Sequence, residues 1–304
     1  MNFQQLRSIR EAVRRNFNLT DVANALYTSQ PGVSRQIREL EEELGVKIFE
    51  RLGKRLIGLT APGEEIASIV QRLLTESENL KSAAKEYSGR AHGRLVVATT
   101  HTQARYALPA VVTQFRREFP GVTLALQQAT PAHIVELLRS GQADIGFASE
   151  ALAQQPDFDV YAAYSWHHKI LVPPTHPLAH KSRPTLAEIA QYPIITYEEG
   201  FAGRHRIDEA FHALGIKPNI ALTAMDSDVI KTYVGLDMGV GFIAAMAYDP
   251  GKDAHLVCID VEHLIAPSTA VIAVRRGAYL RAYAAAFIRI LVPESQPDQL
   301  RSAS

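Results

Sequence analysis

Apolar residues in the first fifty positions recur at spacings of three and four, as they do on one face of an amphipathic helix. Three such sets occur in succession: Leu6, Ile9, Val13 and Phe17; then Leu19, Val22, Ala23 and Leu26; then Val33, Ile37, Leu40 and Leu44. Only Tyr27 and Thr28 separate the second set from a strong helix start at Ser29. The pattern therefore predicts three short helices with a tight turn before the third, which is typical of a helix-turn-helix motif.

The third predicted helix carries two different faces. Ser29 can cap its free amides, and Pro31 is tolerated in its first turn. The side chains that fall away from the apolar stripe are those of Gln30, Ser34, Arg35 and Arg38. Amide, hydroxyl and guanidinium groups of this kind read base edges and bind phosphates in the major groove of DNA. The alternative for this helix alone is a solvated polar face.

Two features that follow the third helix strengthen the DNA-binding interpretation. The segment FERLGKRLIGLT (49–60) places a basic run between Gly53 and Gly58, which predicts a small hairpin or wing. In the predicted helix that comes next, a seven-residue repeat comprises Ile66, Leu73, Leu80 and Tyr87. This repeat predicts a dimer-forming coiled coil. A helix packed on its own domain is the alternative, because Glu76 and Ser77 interrupt the stripe.

After Gly89 the pattern changes to short apolar runs that alternate with amphipathic stretches. Strands are predicted at RLVVAT, VTLALQQ, DIGFAS, KILVPP, IITY, NIALTA, VGFIAA and TAVIAV. The predicted helices lie at 104–119, 132–140, 186–191, 204–214, 228–238 and 279–290. This alternation predicts an α/β region, and its length of about 200 residues suggests two lobes.

Composition narrows the class of protein. The 304 residues are 47% hydrophobic, which is enough for the cores of two or three domains. Lys+Arg and Asp+Glu both number 32, but residues 1–60 hold ten basic against seven acidic residues, and the sign of this surplus suits a polyanion-binding module. Cys258 is the only cysteine, which excludes an internal disulfide and fits a reducing compartment. Without a signal sequence or a membrane-length apolar run, we expect a soluble, cytoplasmic protein with no membrane partner.

Catalytic and metal-binding motifs are not found in the sequence. Neither a G-x-S-x-G nucleophile motif nor a Walker phosphate loop occurs. His167 and His168, and His176 with His180, suggest metal ligands, but Pro177 breaks the helix that a four-residue spacing would need. We therefore expect these histidines to lie on the surface, and we expect no catalytic residue, no metal and no cofactor.

Polar side chains occur just past the ends of four predicted strands, namely Thr100, Ser149, Thr196 and Asp226. Open α/β sheets bind ligands at this edge. Thr102 would lie at the N-terminus of the next helix, where free backbone amides suit an oxyanion. The alternative is that Thr100, Thr102 and Asp226 only cap helices. The shared position at four strand ends favours a ligand site.

The segments SQPGVSRQIRELEEELGVKIFER and LTAPGE closely resemble the N-terminal region of LysR-type transcriptional regulators, and the α/β remainder resembles their effector domain. The resemblance implies a winged helix-turn-helix at 1–60, a dimerising linker helix at 61–90 and a periplasmic-binding-protein-like effector domain at 91–304. Two crossings of the chain between lobes are implied. Lobe I would then comprise about 91–162 and 268–292, and lobe II would comprise about 163–267.

The resemblance also implies partners and DNA contacts. Gln30, Pro31, Ser34 and Arg35 match the recognition helix of the family, and Arg38 joins them from the helical pattern. Candidate wing contacts are Arg51, Lys54 and Arg55. The implied partners are double-stranded promoter DNA and further copies of the chain in a homodimer or homotetramer, and RNA polymerase is a further candidate.

Within the family, TTHTQARYALP, GFAGR and DSDVIKTYVGLDMGVGFIA look most like the CysB branch, regulators of sulfur assimilation whose pocket takes small anions. The matching positions are Thr100, Thr102, Gln103, Ser149 and Ala202, with Trp166 nearby. Ser149 keeps the hydroxyl of the usual threonine, whereas Ala202 loses one and Glu198-Glu199 adds acids. The implied effector is a small anion such as sulfate, thiosulfate or acetylserine.

Three other functions are alternatives to this one. A transport-type binding protein would have a signal peptide and no helix-turn-helix, and this sequence shows the reverse. An enzyme on the same fold would need a nucleophile with a neighbouring base, which the motifs do not supply. The remaining alternative is a LysR-type regulator of another pathway that senses a different oxyanion or a carboxylate.

Overall fold

A computed structural model describes residues 1–53, 55–88 and 93–293. The chain divides into two compact units. The N-terminal unit comprises Met1–Ser88 with the short segment Gly277–Tyr279, and the C-terminal unit comprises the remainder. Each unit has its own hydrophobic core, so each is described by itself.

The N-terminal unit contains the predicted three helices, hairpin and long helix. Its elements are α1 Phe3–Arg14, α2 Leu19–Ala25, α3 Gln30–Leu44, β1 Phe49–Leu52, β2 Arg55–Leu59 and α4 Ala61–Ser88. Val33, Ile37 and Leu40 of α3 are fully buried, as their spacing predicted. Leu44, predicted on the same stripe, is instead 42% exposed because α3 ends there and Gly45 (φ +71°) turns the chain away.

The start of α3 follows the sequence prediction closely. The hydroxyl of Ser29 accepts a hydrogen bond from the Gly32 amide at 3.2 Å, which satisfies one free donor of the first turn. Pro31 lies in that first turn, where its missing N–H has no consequence. In the preceding turn Tyr27 has a left-handed backbone (φ +50°), and this conformation reverses the chain between α2 and α3.

A buried carboxylate joins α3 to the hairpin. Glu41 is 2% exposed and accepts hydrogen bonds from the backbone amides of Ile48 (2.9 Å) and Phe49 (3.1 Å). The Nη2 of Arg51 donates to its other oxygen at 3.2 Å. Three donors therefore compensate the burial of this charge and fix the path of the chain from helix to wing.

The LTAPGE segment makes a close backbone contact between α4 and the hairpin. A Cβ added at Gly63 would lie 1.9 Å from the carbonyl oxygen of Ile48, so only glycine fits. Thr60 caps the start of α4 by accepting from the Gly63 amide at 3.0 Å, and its hydroxyl donates to the Lys47 carbonyl at 2.6 Å. The motif thus serves helix initiation and tight packing together.

Helix α4 has one face in the core of its own unit and a second face exposed. Val70 and Leu74 are each 3% exposed and pack into that core. Ile66, predicted in the coiled-coil stripe, is partly buried against the same core. Leu73 and Leu80 are 42% and 73% exposed. Packing on its own domain therefore applies to part of α4, and the coiled-coil interpretation of the exposed Leu73 and Leu80 stays a prediction; the Tyr87 side chain lies outside the described residues.

The C-terminal unit consists of two five-stranded mixed sheets, each with helices packed against it. Lobe I contains β3 Gly93–Thr99, α5 Leu108–Glu118, β4 Val122–Gln128, α6 Pro131–Ser140, β5 Ile145–Ser149, β6 Phe158–Trp166, and later β12 Ser268–Arg275 and α10 Ala282–Leu291. Its strand order is β4-β3-β5-β12-β6.

Lobe II contains β7 His168–Val172, α7 Leu186–Ile189, β8 Ile194–Tyr197, α8 Ala202–Ala213, β9 Ile220–Ala224, α9 Ser227–Gly235, β10 Val240–Ala244 and β11 Val257–Asp260. Its strand order is β11-β7-β10-β8-β9.

The predicted α/β class and two-lobed plan are confirmed, but two strands were not predicted from the sequence. These are β6 and β11, each an edge strand that pairs antiparallel with one neighbour. Because β6 pairs with β12 as far as Trp166, lobe I continues four residues past the predicted boundary at about 162. The chain crosses into lobe II at His167 and returns just before Ser268.

The helix predicted at 104–119 is not regular. Residues Gln103–Ala107 form a wide π-turn, and the α-helical part α5 starts only at Leu108. Pro109 lies in the first turn of α5, where it removes a backbone donor. Such turns are frequent at functional sites. Among the described residues no helix combines the length and apolar character that crossing a bilayer requires.

Candidate functional site

The candidate DNA-binding face of α3 lies opposite its buried stripe. Gln30, Pro31, Arg35 and Arg38 are exposed, and Ser34 is half-buried. Arg38 Nε approaches the Ser34 carbonyl at 3.5 Å, and Arg35 Nε donates to Glu39 Oε1 at 2.7 Å. The Glu39 contact uses only Nε of Arg35, so the two Nη groups keep the fork geometry that matches a guanine edge.

The predicted wing residues differ in their surroundings. Arg55 is exposed at the start of β2. Arg51 is partly buried and bonded to Glu41, so the structure gives it a role inside the unit. Lys54 lies outside the described residues. Tyr27, which the sequence analysis treated only as part of the turn, is 98% exposed directly before the recognition helix. An aromatic side chain so exposed beside that helix is a further candidate contact for a nucleic acid backbone.

In lobe I, the predicted effector residues lie at the ends of adjacent strands. Thr100 directly follows β3, and Ser149 ends β5. The two strands are parallel neighbours, and the hydroxyl of the fully buried Thr99 donates to the Phe147 carbonyl at 2.7 Å. The structure therefore brings Thr100, Ser149 and the following Thr102 and Gln103 to one edge of the lobe I sheet, as the strand-end argument predicted.

The Gln103 side chain is held in one orientation by a neighbour in β6. Gln103 is 3% exposed, and the hydroxyl of Tyr164 donates a hydrogen bond to its Oε1. The amide oxygen is therefore used, and the NH₂ group remains as a donor. Burial raises the pKa of the Tyr164 phenol well above its usual value, so this donor stays protonated.

Tyr164 and Trp166 share a face of the lobe I sheet with two serines. Ala270 of β12 lies opposite both Ser149 and Tyr164, and Ser268 lies opposite Trp166. Opposed residues and alternate residues along a strand point to the same face. Ser149, Ser268 and Trp166 therefore face the same side as Tyr164, whose hydroxyl bonds Gln103. Ser268 was not identified from the sequence.

On the lobe II side, the start of α8 packs against β8 and β7, because a Cβ added at Gly203 would lie 3.1 Å from the Tyr197 ring and 3.2 Å from His168 Nε2. Ala202 is the first residue of α8, and the preceding Phe201 provides no side-chain cap. The first amides of α8 therefore lack the hydroxyl acceptor that Ser or Thr would offer. Thr196 of β8 is fully buried, and its hydroxyl has no hydrogen-bond partner within the described residues.

His168 is fully buried, which contradicts the surface position predicted for it from the sequence; His176, at 8% exposed, is also buried. The ring of His168 lies 4.9 Å from the Trp166 ring, centroid to centroid, and a Cβ added at Gly203 would lie 3.2 Å from its Nε2. Burial lowers the pKa of His168 to about 4, so the imidazole is neutral at physiological pH. A sequence shows no sign of this because the burial arises where the chain crosses between lobes.

Asp226 has a local structural role. Its carboxylate caps α9 by accepting from the Val229 amide at 2.9 Å, which is the alternative that the sequence analysis left open. Glu198 and Glu199, in the loop between β8 and α8, are half-buried and exposed respectively. Neither Asp226 nor these glutamates would attract an anion. The groups that could bind an anion are the hydroxyl and amide donors of Thr100, Thr102, Gln103 and Ser149.

Charged groups connect the π-turn of lobe I to lobe II. Arg105 Nε contacts Asp228 Oδ2 at 2.6 Å, and the Tyr106 hydroxyl donates to Asp228 Oδ1 at 2.7 Å. Lys231 contacts Asp228 at 3.2 Å and also Asp253 at 3.1 Å. Although partial burial acts against it, hydrogen bonds from Tyr106 and Lys231 keep the pKa of Asp228 below its usual value. We refer to Arg105, Tyr106 and Asp228 as the interlobe latch.

A group of possible metal ligands also lies beside this latch. Ligand atoms of His101, Asp226 and Asp228 lie within 4.8 Å of one another. Asp228 is bonded to cations of the protein, and Asp226 is used as a helix cap. Both Asp228 oxygens and Asp226 Oδ1 are therefore already bonded within the protein.

Both units match one family of bacterial proteins. The family described as "Bacterial regulatory helix-turn-helix protein, lysR family" matches residues 3–64, and "LysR substrate binding domain" matches residues 88–296. The two matches together span most of the chain. The protein belongs to the LysR family of transcriptional regulators.

Named relatives lie in the branch that the sequence analysis identified. The chain is 55% identical to the HTH-type transcriptional regulator SsuR of Burkholderia cenocepacia over 293 residues, covering 96% of this chain and 95% of SsuR. It is 47% identical to the regulator CysB of the same species, covering 96% and 94%. The crystal structure of the cofactor-binding domain of the Cbl transcriptional regulator superposes with a TM-score of 0.67 at 43% identity, covering 69% of this chain and 92% of that domain.

These comparisons confirm the predicted resemblance to a LysR-type regulator of the CysB branch. The family and the relatives are named as transcriptional regulators, so the prediction of a regulator without enzyme activity is confirmed as well. The DNA-contacting and effector-contacting roles of individual residues stay predictions. The structure gives the positions of these residues except Lys54, which lies outside the described residues.

Proposed function

We propose that this regulator controls genes of sulfur assimilation in response to a small anionic effector such as sulfate, thiosulfate or acetylserine. The observation that carries the proposal is the group of neutral donors at the edge of lobe I: the Thr100, Thr102 and Ser149 side chains with the oriented amide of Gln103. Neutral donors suit a desolvated oxyanion because they bind it without a competing counter-ion. The names of the relatives SsuR, CysB and Cbl support the pathway.

The mechanism that we propose uses both units. The α3 face and the wing bind double-stranded promoter DNA, and the exposed stripe of α4 joins copies of the chain into a homodimer or homotetramer. Paired helix-turn-helix units then read paired half-sites. An effector that binds one arrangement of the lobes more tightly than another shifts the protein towards the arrangement that it prefers. RNA polymerase is the further partner whose contact with the regulator this change would affect. The alternative is the same mechanism with another oxyanion or a carboxylate as effector.

Substitutions at the start of α8 and of the π-turn are expected to change sulfate affinity in opposite directions. Ala202→Thr supplies a hydroxyl beside the uncapped amides of α8 and should tighten sulfate several-fold to about tenfold, because one hydrogen bond to a charged acceptor contributes on that scale. Thr102→Ala should weaken it by a similar factor. Isothermal titration calorimetry on the full chain measures both.

The control for this experiment is Ala213→Thr, which makes the same change at the exposed opposite end of α8 and should leave sulfate affinity unaltered. If neither the native chain nor Ala202→Thr gave heat with sulfate, thiosulfate or acetylserine, while an unrelated carboxylate bound, the sulfur assignment would be wrong. The chain would remain a regulator of the alternative kind.

Arg35→Ala is expected to remove most of the preference for the operator over random DNA. A guanidinium on the groove-facing side of α3 can bind one base pair through two hydrogen bonds, and losing it reduces discrimination about tenfold to a hundredfold. Gel-shift titrations on operator and random duplexes at fixed salt concentration measure this ratio.

Arg7→Ala is the matched control, because Arg7 is an exposed arginine on α1 and not on α3. It should leave the ratio between operator and random DNA unchanged. Lys54→Ala should weaken binding to both duplexes alike and lower the salt dependence by about one unit, as expected for a phosphate contact. An unaltered ratio in Arg35→Ala would show that α3 does not enter the groove in this orientation.

A further inference from the structure

The arginine that is expected to bind a base edge is highly exposed. The side chain of Arg35 on α3 is 79% exposed. A long side chain with this exposure adopts many rotamers, and fixing one of them when DNA binds costs conformational entropy. A contact that selects one rotamer before DNA arrives lowers that cost. A neighbour that holds the Arg35 guanidinium in place would therefore affect base recognition directly.

Glu39 makes such a contact one turn further along α3. Its Oε1 accepts a hydrogen bond from Arg35 Nε at 2.7 Å. This hydrogen bond lowers the pKa of the Glu39 carboxyl, so the group is ionised at physiological pH. Because the donor is Nε, both Nη groups of Arg35 keep their hydrogens for two parallel bonds to an acceptor such as a guanine edge.

A residue of α1 contacts the Glu39 carboxylate from the other side. Gln5 is 6% exposed, and its Nε2 donates to Glu39 Oε2 at 3.4 Å. The Oε1 of Gln5 accepts from the Asn2 backbone amide at 2.9 Å, which fixes the side-chain amide with its NH₂ group towards Glu39. Each oxygen of Glu39 thus has a donor, one on each helix. Through Glu39, the Arg35 guanidinium is connected to α1 as well as to its own helix.

Helix stability alone does not account for this ion pair. Exposed pairs of opposite charge contribute little to folding free energy. In a helix the more stabilising order places the acidic residue first, whereas here Arg35 precedes Glu39. The other arginine of the exposed face, Arg38, approaches the Ser34 carbonyl and forms no ion pair within the described residues. Glu39 therefore restrains one of the two arginines selectively.

We propose that Glu39 is a positioning residue for sequence recognition, which holds the Arg35 guanidinium so that its Nη groups meet a base edge and not a phosphate. The inference rests on the proposed function, because it takes Arg35 as a residue that binds a base. The carboxylate also offsets the positive charge of Arg35, which weakens its attraction to any DNA backbone. The pair thus lowers affinity for unrelated sequences and favours discrimination between sequences.

Binding selection from a pool of random duplexes tests this role, because it measures the preference at each base pair without a known operator. Arg35→Ala identifies the base pair that Arg35 binds. Glu39→Ala should reduce the preference at that same base pair about twofold to tenfold, since immobilising a long side chain costs binding free energy on this scale. Affinity for the unselected pool should not fall, because a negative charge is removed. In the Arg35→Ala chain, adding Glu39→Ala should change no preference.

The matched control is Glu42→Ala, which removes the same charge from another exposed position of α3 and should keep every base preference. Circular dichroism should show native helix content in all variants. An unchanged preference in Glu39→Ala, beside a loss in Arg35→Ala, would refute positioning by Glu39 and leave base recognition by Arg35 intact.

The base pair at which preference is lost separates two roles of Glu39. A loss at a base pair other than the one that Arg35 binds would overturn the proposal, because Glu39 would then contact a base itself. If Arg35→Ala lost no preference at any base pair, base recognition by Arg35 would be wrong, and the positioning role of Glu39 with it.

Discussion

Glu41→Ala is expected to unfold the N-terminal unit at much lower denaturant concentration than the native chain, while the C-terminal unit is unaffected. The substitution leaves two buried backbone amides, those of Ile48 and Phe49, without an acceptor and the Arg51 guanidinium without its carboxylate. Removing one partner of a buried, hydrogen-bonded charge pair costs about 3 to 5 kcal/mol. That loss is a large fraction of the stability of a small domain.

Two spectroscopic signals separate the units in this experiment. Trp166 is the only tryptophan and lies in the C-terminal unit, so intrinsic fluorescence follows that unit. Far-ultraviolet circular dichroism also reports the helices of the N-terminal unit. In Glu41→Ala an early loss of helical signal should precede an unchanged fluorescence transition. Glu42→Ala, an exposed neighbour on α3, is the control and should behave like the native chain. Identical unfolding curves for native and Glu41→Ala chains would refute the structural role of this carboxylate.

Leu73→Asp combined with Leu80→Asp is expected to convert the assembled protein into folded monomers. Both leucines are exposed on α4, whereas the side chains that hold α4 in its own unit, Val70 and Leu74, are buried elsewhere on the helix. Two carboxylates on a seam that repeats every seven residues would face their counterparts in a second copy and repel them without a compensating partner. Light scattering measures the mass of the assembly.

A control double variant with two aspartates elsewhere on α4 tests whether the position of the new charges determines the loss of assembly. Ser68→Asp with Lys81→Asp introduces aspartates on exposed positions of the same helix outside the repeat, and the assembly should keep its native mass. Circular dichroism should show native helix content in both double variants. A dimer that persisted in Leu73→Asp with Leu80→Asp would place the interface on another surface.

The N-terminal unit could be predicted from the sequence almost completely, because its signals are local. The Ser29 cap, the buried stripe of Val33, Ile37 and Leu40, and the glycine-bounded hairpin depend on residues close together in the chain. What could not be predicted there depends on contacts between distant residues. The pairing of Arg51 with Glu41 is such a case, since a basic residue in a wing gives no sign that its partner lies in the preceding helix.

In the C-terminal unit, too, only the strands with a clear local sequence pattern could be predicted. Strands β3, β5, β8 and β10 lie inside their sheets, and three of them are buried over most of their length, so their apolar runs were recognisable. The edge strands β6 and β11 mix exposed and buried positions and were missed. The edge strands β4 and β9 were recognised from VTLALQQ and NIALTA, whereas β6 has Asp159 and Ser165 among its apolar residues and β11 is only four residues long, so neither shows a clear strand pattern.

The candidate site was predicted in part, for a related reason. Thr100 follows β3 and Ser149 ends β5, so position along the chain identified them, whereas Thr196, predicted just past a strand end, lies inside β8. His168 and Ser268 were missed because their importance comes from burial at the two crossings between lobes, which joins residues one hundred positions apart. Whether a histidine is buried cannot be read from the sequence before the fold is known.

The π-turn at Gln103–Ala107 has a kinetic consequence. Five consecutive residues contain both Gln103, a proposed effector contact, and the latch residues Arg105 and Tyr106, which bond Asp228 of lobe II. Lobes that separate must break the Asp228 contacts and pull on the same short stretch of backbone that presents Gln103. For an effector bound to Gln103 as in the proposed function, departure would require the same event that opens the lobes, so the opening rate of the protein would limit its residence time.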